Sequence, residues 1–250
     1  RGLGDVYKRQ DDDYALEIEN EFGKNEMWYV VDCEPGAFLY CGLKKDSSKE
    51  EIRERIENNT ITDILNKIEV HKGDCVMVKA GTIHAIGAGI LICEIQQNSN
   101  CTYRMYDYDR KDKFGNKREL HIDKAIDVVD VKKYKPFISD NKDVPEGAEV
   151  LVSCKYFECY KYVLGSNAAE ADHASDIEDN CYNTENVRNT GKVNISVDAM
   201  SFRSVIVIDG SGKIAVGNNT MDYKAGDSFF VTAGEKVINL ELSLIHISEP

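Results

Sequence analysis

The sequence predicts a mainly β protein built as two jelly-roll β-barrels with a small helical element, and three observations carry that prediction. Apolar residues come in short aromatic and β-branched runs bounded by Gly, Pro, Asn and Asp, as strands and tight turns require. A helical period of 3.6 is confined to two stretches. GDCVMVKAG at positions 73–81 recurs as GDSFFVTAG at 226–234, with five of nine residues identical and the apolar positions kept. A Gly-Asp turn, a strand and an Ala-Gly turn, present twice, imply two copies of one β unit.

Taken in order, MWYVV at 27–31 and AFLYCGL at 37–43 flank Pro35-Gly36 and read as a hairpin. Ser47 or Ser48 then caps a helix, with Glu50 and Glu51 as capping-box partners and Ile52 and Ile56 four apart on its inner face. Strands resume as CVMVK, TIHAI, GILICEI and CTYRMYDYD, separated by Gly73, Gly81, Gly87 and Gly89. Ile122, Ala125, Ile126 and Val129 predict a second helix over 121–129. The polar stretch 136–147 is the expected connection between domains, 11–135 before it and 148–242 after it. Beyond it VLVS, YFECYKYV, KVNISV, SVIVIDG, KIAV and DSFFVTA read as a second set of strands, and the acidic, Asn-rich stretch 165–190 as a loop. Residues 1–10 (RGLGDVYKRQ) and 243–250 (SLIHISEP) lack the acidity and periodicity of the rest and resemble translated linker DNA, so both are set aside as foreign.

A formal charge of −13 repels polyanions and argues against nucleic-acid binding. No apolar run approaches the roughly 20 residues that span a bilayer, so no membrane role and a cytoplasmic location are expected. The eight cysteines are diluted through a chain large enough to build its own core, and no Cys-x-x-Cys occurs. They read as reduced thiols rather than a disulfide frame or a zinc knuckle.

Four residues are candidates for chemistry. His84, on a strand just after a Gly turn, can reach into a barrel mouth and ligate a metal through one ring nitrogen; the equivalent place in the second copy is Val237. Glu26 stands at the start of the first strand with Lys24 two residues before it, so alternation aims both the same way. They are either a surface ion pair or a metal ligand beside a cation. On CTYRMYDYD, Arg104 shares a face with Thr102, Tyr106 and Tyr108, which suits either an anionic pocket or a solvated edge strand. His71, His121 and His173 read as surface residues without a role.

GKNEMWYVVD, KGDCVMVKAGTIHAIGAGILICEIQQNSNCTYRMYDYDR and RELHIDKAIDV occur in an order that resembles a bacterial class I mannose-6-phosphate isomerase of the short kind, over about 11–242. The resemblance implies two cupin-type barrels, one zinc ion per chain and interconversion of mannose 6-phosphate and fructose 6-phosphate. It implies that Glu26 of Lys-x-Glu and His84 of Gly-Thr-x-His are zinc ligands and that Lys24 and Arg104 are catalytic. Two further ligands come in that family from a Gln-x-His-Pro segment directly before Asp-Asp-x-Tyr-Ala. This chain has Tyr7, Lys8, Arg9 and Gln10 there, so half of the metal site is replaced and activity is in question. The expected partner is a small phosphosugar, and the expected state a monomer or weak homo-oligomer. Glu94, in ICEIQQ, is a candidate proton-transfer base only because it lies near this strand in sequence. The competing reading is a metal-free cupin that binds phosphosugars or regulates, as the second barrel would.

Overall fold

The structure, a computed structural model, describes residues 6–8, 23–99, 102–108, 110–139, 144–165, 188–189, 191–234 and 236–242. The chain divides into two compact units: the first runs to Ile138 and takes back Cys154–Phe157, and the second holds Ser139–Ser153 and the described residues from Glu158 onward. Most of the 165–190 stretch lies outside the described residues.

In the first unit two sheets face each other. One has the order β4-β3-β6-β1-β8, from Leu65–Glu69, Phe38–Leu43, His84–Ile86, Val6–Lys8 and Tyr103–Tyr106. The other has the order β5-β2-β7, from Cys75–Val78, Glu26–Cys33 and Ile90–Gln96. Alternation along these strands sends two sets of side chains in opposite directions. Leu39, Cys41 and Ile86 of the first sheet meet Trp28, Val30, Val76 and Val78 of the second in the barrel interior. Ala85, Tyr103 and Met105 point the other way and pack under the helices α1 (Lys49–Glu57) and α2 (Ile122–Val128) through Ile52, Ile56, Ala125 and Ile126.

Local chemistry explains the helix ends. Ser48 Oγ accepts the Glu51 N–H at 3.1 Å, the expected N-cap contact. Glu51's carboxylate takes the Ser47 hydroxyl at 2.8 Å, so the two adjacent serines share the capping work. Asn59, at φ 57°, turns the chain out of α1 in the left-handed region that Asn tolerates. Across the helices Arg53 meets Asp123 at 2.8 Å.

The residues set aside at the N-terminus hold a strand. Val6–Lys8 (β1) lies between β6 and β8, antiparallel to both. Four other strands were not predicted: β4, β12 (Arg188–Asn189), which lies in the stretch read as a loop, β16 (Asn219–Lys224) and β18 (Lys236–Leu242). Conversely, YFECYKYV is two strands, β10 (Glu158–Lys161) and β11 (Val163–Leu164), and the segments on either side of Pro35-Gly36 are not the expected hairpin, because β2 and β3 pair in different sheets.

The second unit repeats the two-sheet plan. β13-β18-β15-β16, from Lys192–Val197, Lys236–Leu242, Ser211–Val216 and Asn219–Lys224, form one sheet, and β14 (Arg203–Ile206) pairs with β17 (Ser228–Val231) in another. Val193, Val197, Ile214, Tyr223, Val231, Ile238 and Leu240 fill the space between them. β9 (Glu149–Ser153) pairs with β10, and β11 with β12 (Arg188–Asn189). The fold is mainly β and of the jelly-roll class, as the sequence predicts.

Candidate active site

Glu26 and His84, 58 positions apart in the chain, meet inside the first barrel: His84 Nε2 lies 3.4 Å from Glu26 Oε1, and the two side chains are 1% and 0% exposed. Register explains the meeting. Glu26 is the first residue of β2, opposite Val78 and Gln96, on the face that carries Trp28 and Val30 inward. His84 opens β6 opposite Cys41, on the inward face of the other sheet. The sheets therefore aim a carboxylate and an imidazole at one point.

The imidazole is oriented. Its Nδ1 lies 2.9 Å from the Thr82 carbonyl, which only accepts, so Nδ1 carries a hydrogen and Nε2 is the atom that faces Glu26. Trp28 packs edge-to-face on the same ring, with centroids 5.3 Å apart and planes at 71°. The start of β2 is fixed by Asn25. Its Oδ1 accepts the Ala80 N–H at 3.0 Å and its Nδ2 donates to Gln97 Oε1 at 2.7 Å, tying the strand to the loop before His84 and to the end of β7.

A separation of 3.4 Å is long for a strong N–H···O bond. It matches the spacing of two donors on one ion: atoms each about 2.1 Å from a tetrahedral cation stand about 3.4 Å apart. The donor types, one carboxylate oxygen and one imidazole nitrogen, suit zinc. Among the described residues no third His, Cys, Asp or Glu completes a metal-holding group. Cys41, fully buried across from His84, has its thiol pushed up to about 12, mainly by burial and further by the Glu26 carboxylate, so it stays a neutral thiol. Among the described residues Cys33, Cys41, Cys75, Cys93, Cys154 and Cys159 form no disulfide.

Arg104 reaches the same face by a second register. Tyr7 of β1 stands opposite His84 on one side and Arg104 on the other, so these two lie in one row with β1 between them. β8 is also the edge strand of its sheet, and Arg104 is half-buried there, donating to the Glu119 carbonyl at 3.2 Å. Its backbone N–H donates to His121 Nδ1 at 3.2 Å, which gives His121 a structural task at the N-terminus of α2 that its sequence context did not reveal. Lys24 is 7% exposed and precedes β2 by two residues. Beyond β8, Asp107 is clamped by Arg110 and Arg118, which closes the loop that leads back to α2.

Sequence reasoning missed Trp28 and Cys41, because an indole or thiol inside an apolar run carries no spacing signal, and Asn25, whose amide stands between two charged residues and shows no partner in the sequence. Glu94 lies opposite Trp28 on β7 and accepts its indole N–H at 3.2 Å. No helix among the described residues is long and apolar enough to cross a membrane.

No family model matches the chain. A probable mannose-6-phosphate isomerase of Bacillus subtilis, GmuF, is 43% identical over 172 residues, covering 66% of this chain and 53% of the relative. Mannose-6-phosphate isomerase ManA of the same organism is 33% identical over 243 residues, covering 94% of this chain and 67% of the relative. The chain thus spans about half the length of the first and two thirds of the second. The crystal structure of a Bacillus subtilis mannose 6-phosphate isomerase superposes with a TM-score of 0.77 at 30% identity, covering 97% of this chain and 70% of that one. A phosphomannose isomerase variant from Salmonella typhimurium, at 10% identity, shares the fold with a TM-score of 0.67 over 97% of this chain and 74% of that one.

Proposed function

Since this chain belongs to the mannose-6-phosphate isomerase family, we propose that it is built as a zinc-dependent aldose–ketose isomerase acting on mannose 6-phosphate and fructose 6-phosphate. The observation that carries this reading is the buried Glu26–His84 pair at 3.4 Å. Zinc would be held by Glu26 Oε1 and His84 Nε2, and when bound it supplies a Lewis acid that polarises a sugar oxygen.

The protein's own residues account for the rest of the chemistry. Moving a carbonyl between C1 and C2 removes a weakly acidic C–H proton and leaves an enediolate, whose negative charge needs nearby cations in a site with little water. Arg104, in the row of His84, and Lys24, buried beside the start of β2, supply that charge and meet the phosphate. Thr82 holds His84 by accepting from Nδ1, so the imidazole presents Nε2 to the site. The substrate is a small phosphosugar, handled in the cytoplasm by a monomer or weak homo-oligomer.

The N-terminal strand bears on how complete the site is. The family's Gln-x-His-Pro segment would fall on Tyr7 to Gln10, and Tyr7 pairs directly with His84. A ligand at position 7 would stand on the strand paired with that of the imidazole. The test is the triple variant Tyr7→Gln, Arg9→His, Gln10→Pro: it should hold one zinc per chain by elemental analysis and exchange aldose for ketose in a coupled assay. Adding His84→Ala should abolish both. A restored protein without zinc, or turnover indifferent to His84, ends this reading, and phosphosugar binding that survives a chelator points to the metal-free binding module.

A further inference from the structure

We infer that Trp28 and Glu94 are positioning residues for His84: Glu94 anchors the indole, and the indole sets the plane of the imidazole so that Nε2 faces Glu26. The inference deepens the proposed function, resting on it only for the statement that the pair takes a metal.

The physical problem is rotational. An imidazole tethered at Cβ and held at Nδ1 by one acceptor can still swing about the axis through those two points. A swing of a few tens of degrees would carry Nε2 off the line to Glu26. The Thr82 carbonyl supplies the hold at Nδ1. The second constraint must be a surface against the ring, and Trp28 is that surface, at 5.3 Å and 71°. An indole can serve only if its own plane is fixed. Trp28 is 1% exposed and stands between Val76 on β5 and Glu94 on β7. Its Nε1–H donates to Glu94 Oε2 at 3.2 Å, which selects one of the two ways a bicyclic ring can lie in an apolar slot. Glu94 is exposed, so its carboxylate costs little to keep charged there. The alternation that puts Glu26, Trp28 and Val30 on one face of β2 puts Gln96, Glu94 and Ile92 on the matching face of β7. The relay therefore runs Glu94, Trp28, His84, Glu26, and only its last two members touch the proposed metal.

This assigns Glu94 a role different from that of the proton-transfer base suggested by its place in the sequence. Its Oε2 accepts the indole N–H, which ties the carboxylate to the ring.

The test uses Glu94→Gln, which keeps an acceptor oxygen, Glu94→Ala, which removes it, and Trp28→Phe, which keeps an aromatic ring but loses the N–H. In the metal-free protein, nitrogen-15 correlation spectra of the His84 ring should show one sharp set of ring signals with Nδ1 protonated for the native chain and Glu94→Gln. Glu94→Ala and Trp28→Phe should give broadened or mixed-tautomer signals. Trp28 is the chain's only tryptophan, so its emission reports directly on this contact and on quenching by cobalt(II). In the chain with its Gln-x-His-Pro restored, cobalt should bind Glu94→Ala about 10- to 100-fold more weakly than the parent, and Glu94→Gln within about threefold of it. A role in packing alone would lower the melting point of Trp28→Phe and leave the His84 signals of Glu94→Ala unchanged, and that result overturns the inference. If the chain with its Gln-x-His-Pro restored takes no cobalt while the His84 signals change as expected, the metal reading fails and the positioning role stands.

Discussion

Gly73-Asp74 in the first unit and Gly226-Asp227 in the second are held by matching contacts. The glycine N–H donates to Val30 in one and Val207 in the other, both at 2.8 Å, and each valine N–H donates back to the aspartate carbonyl at 2.8 and 2.9 Å. Each aspartate side chain accepts the N–H three residues before it, from His71 at 2.8 Å and Lys224 at 2.9 Å. This equivalence sets Val30 on Val207 and therefore Glu26 on Arg203, and the pairing agrees: Glu26 stands opposite Val78, and Arg203 opposite Val231. Where the first unit has a buried carboxylate and a buried imidazole, the second has an arginine 3.9 Å from Asp198 and a valine, Val237, that is 46% exposed. A shared turn holds two sheets in register, and the chemistry is decided separately by a few side chains on the strands above it.

The largest break in that comparison should come from the ligand pair. Glu26→Gln or His84→Ala, each in the chain with its Gln-x-His-Pro restored, should weaken zinc binding by more than about 100-fold, beyond the loss typical of an outer-shell contact. The double change Arg203→Glu with Val237→His in the second unit should gain no zinc, because position 237 faces outward. Competition with a chromophoric chelator measures both, and zinc captured by the grafted pair would refute the claim that exposure separates the two units.

A smaller, symmetric effect is expected at two glycines. A Cβ at Gly87 would lie 2.0 Å from the Phe38 carbonyl oxygen, and one at Gly212 would lie 2.0 Å from the Glu241 carbonyl oxygen. Backbone must move in either case. Gly87→Ala and Gly212→Ala should each cost about 2–3 kcal/mol in denaturant unfolding, and a near-neutral result at either would show that its sheet yields more readily than its counterpart.

The smallest effect sharpens the comparison at the shared turn. Asp74 is buried, and burial holds its carboxyl above the ordinary value of 3.8 despite the opposing His71 N–H and ring. The folded state thus keeps this proton more tightly than the unfolded chain, and the associated stability is present below the unfolded pKa and lost as pH rises through the folded one. Asp74→Asn does not titrate, so the native chain should lose stability relative to it between acid and neutral pH. Parallel profiles would show that burial at this turn has no energetic consequence.

Much of this arrangement was legible beforehand. The repeat announced two units, and alternation along CTYRMYDYD separated Arg104 from Tyr103 and Met105, which pack under the helices. Two of the strands that escaped notice mix charges with apolar groups: LNKIE in β4 and NTMDYK in β16 sit at sheet edges, where one side needs no apolar face. β1 escaped because VYK sits in a segment that reads as foreign. Glu26 and His84 were each visible as ionisable residues near strand ends, yet their separation depends on how two sheets face one another. No local pattern encodes that distance. Trp28 was hidden for the opposite reason: an indole in an apolar run looks like filling until its neighbours are known.

The three residues of β1 have a practical corollary. A ribbon that joins the imidazole strand to the arginine strand by main-chain pairing holds its register whatever residues it carries. Thiolates written into it would suit softer ions, and amides none.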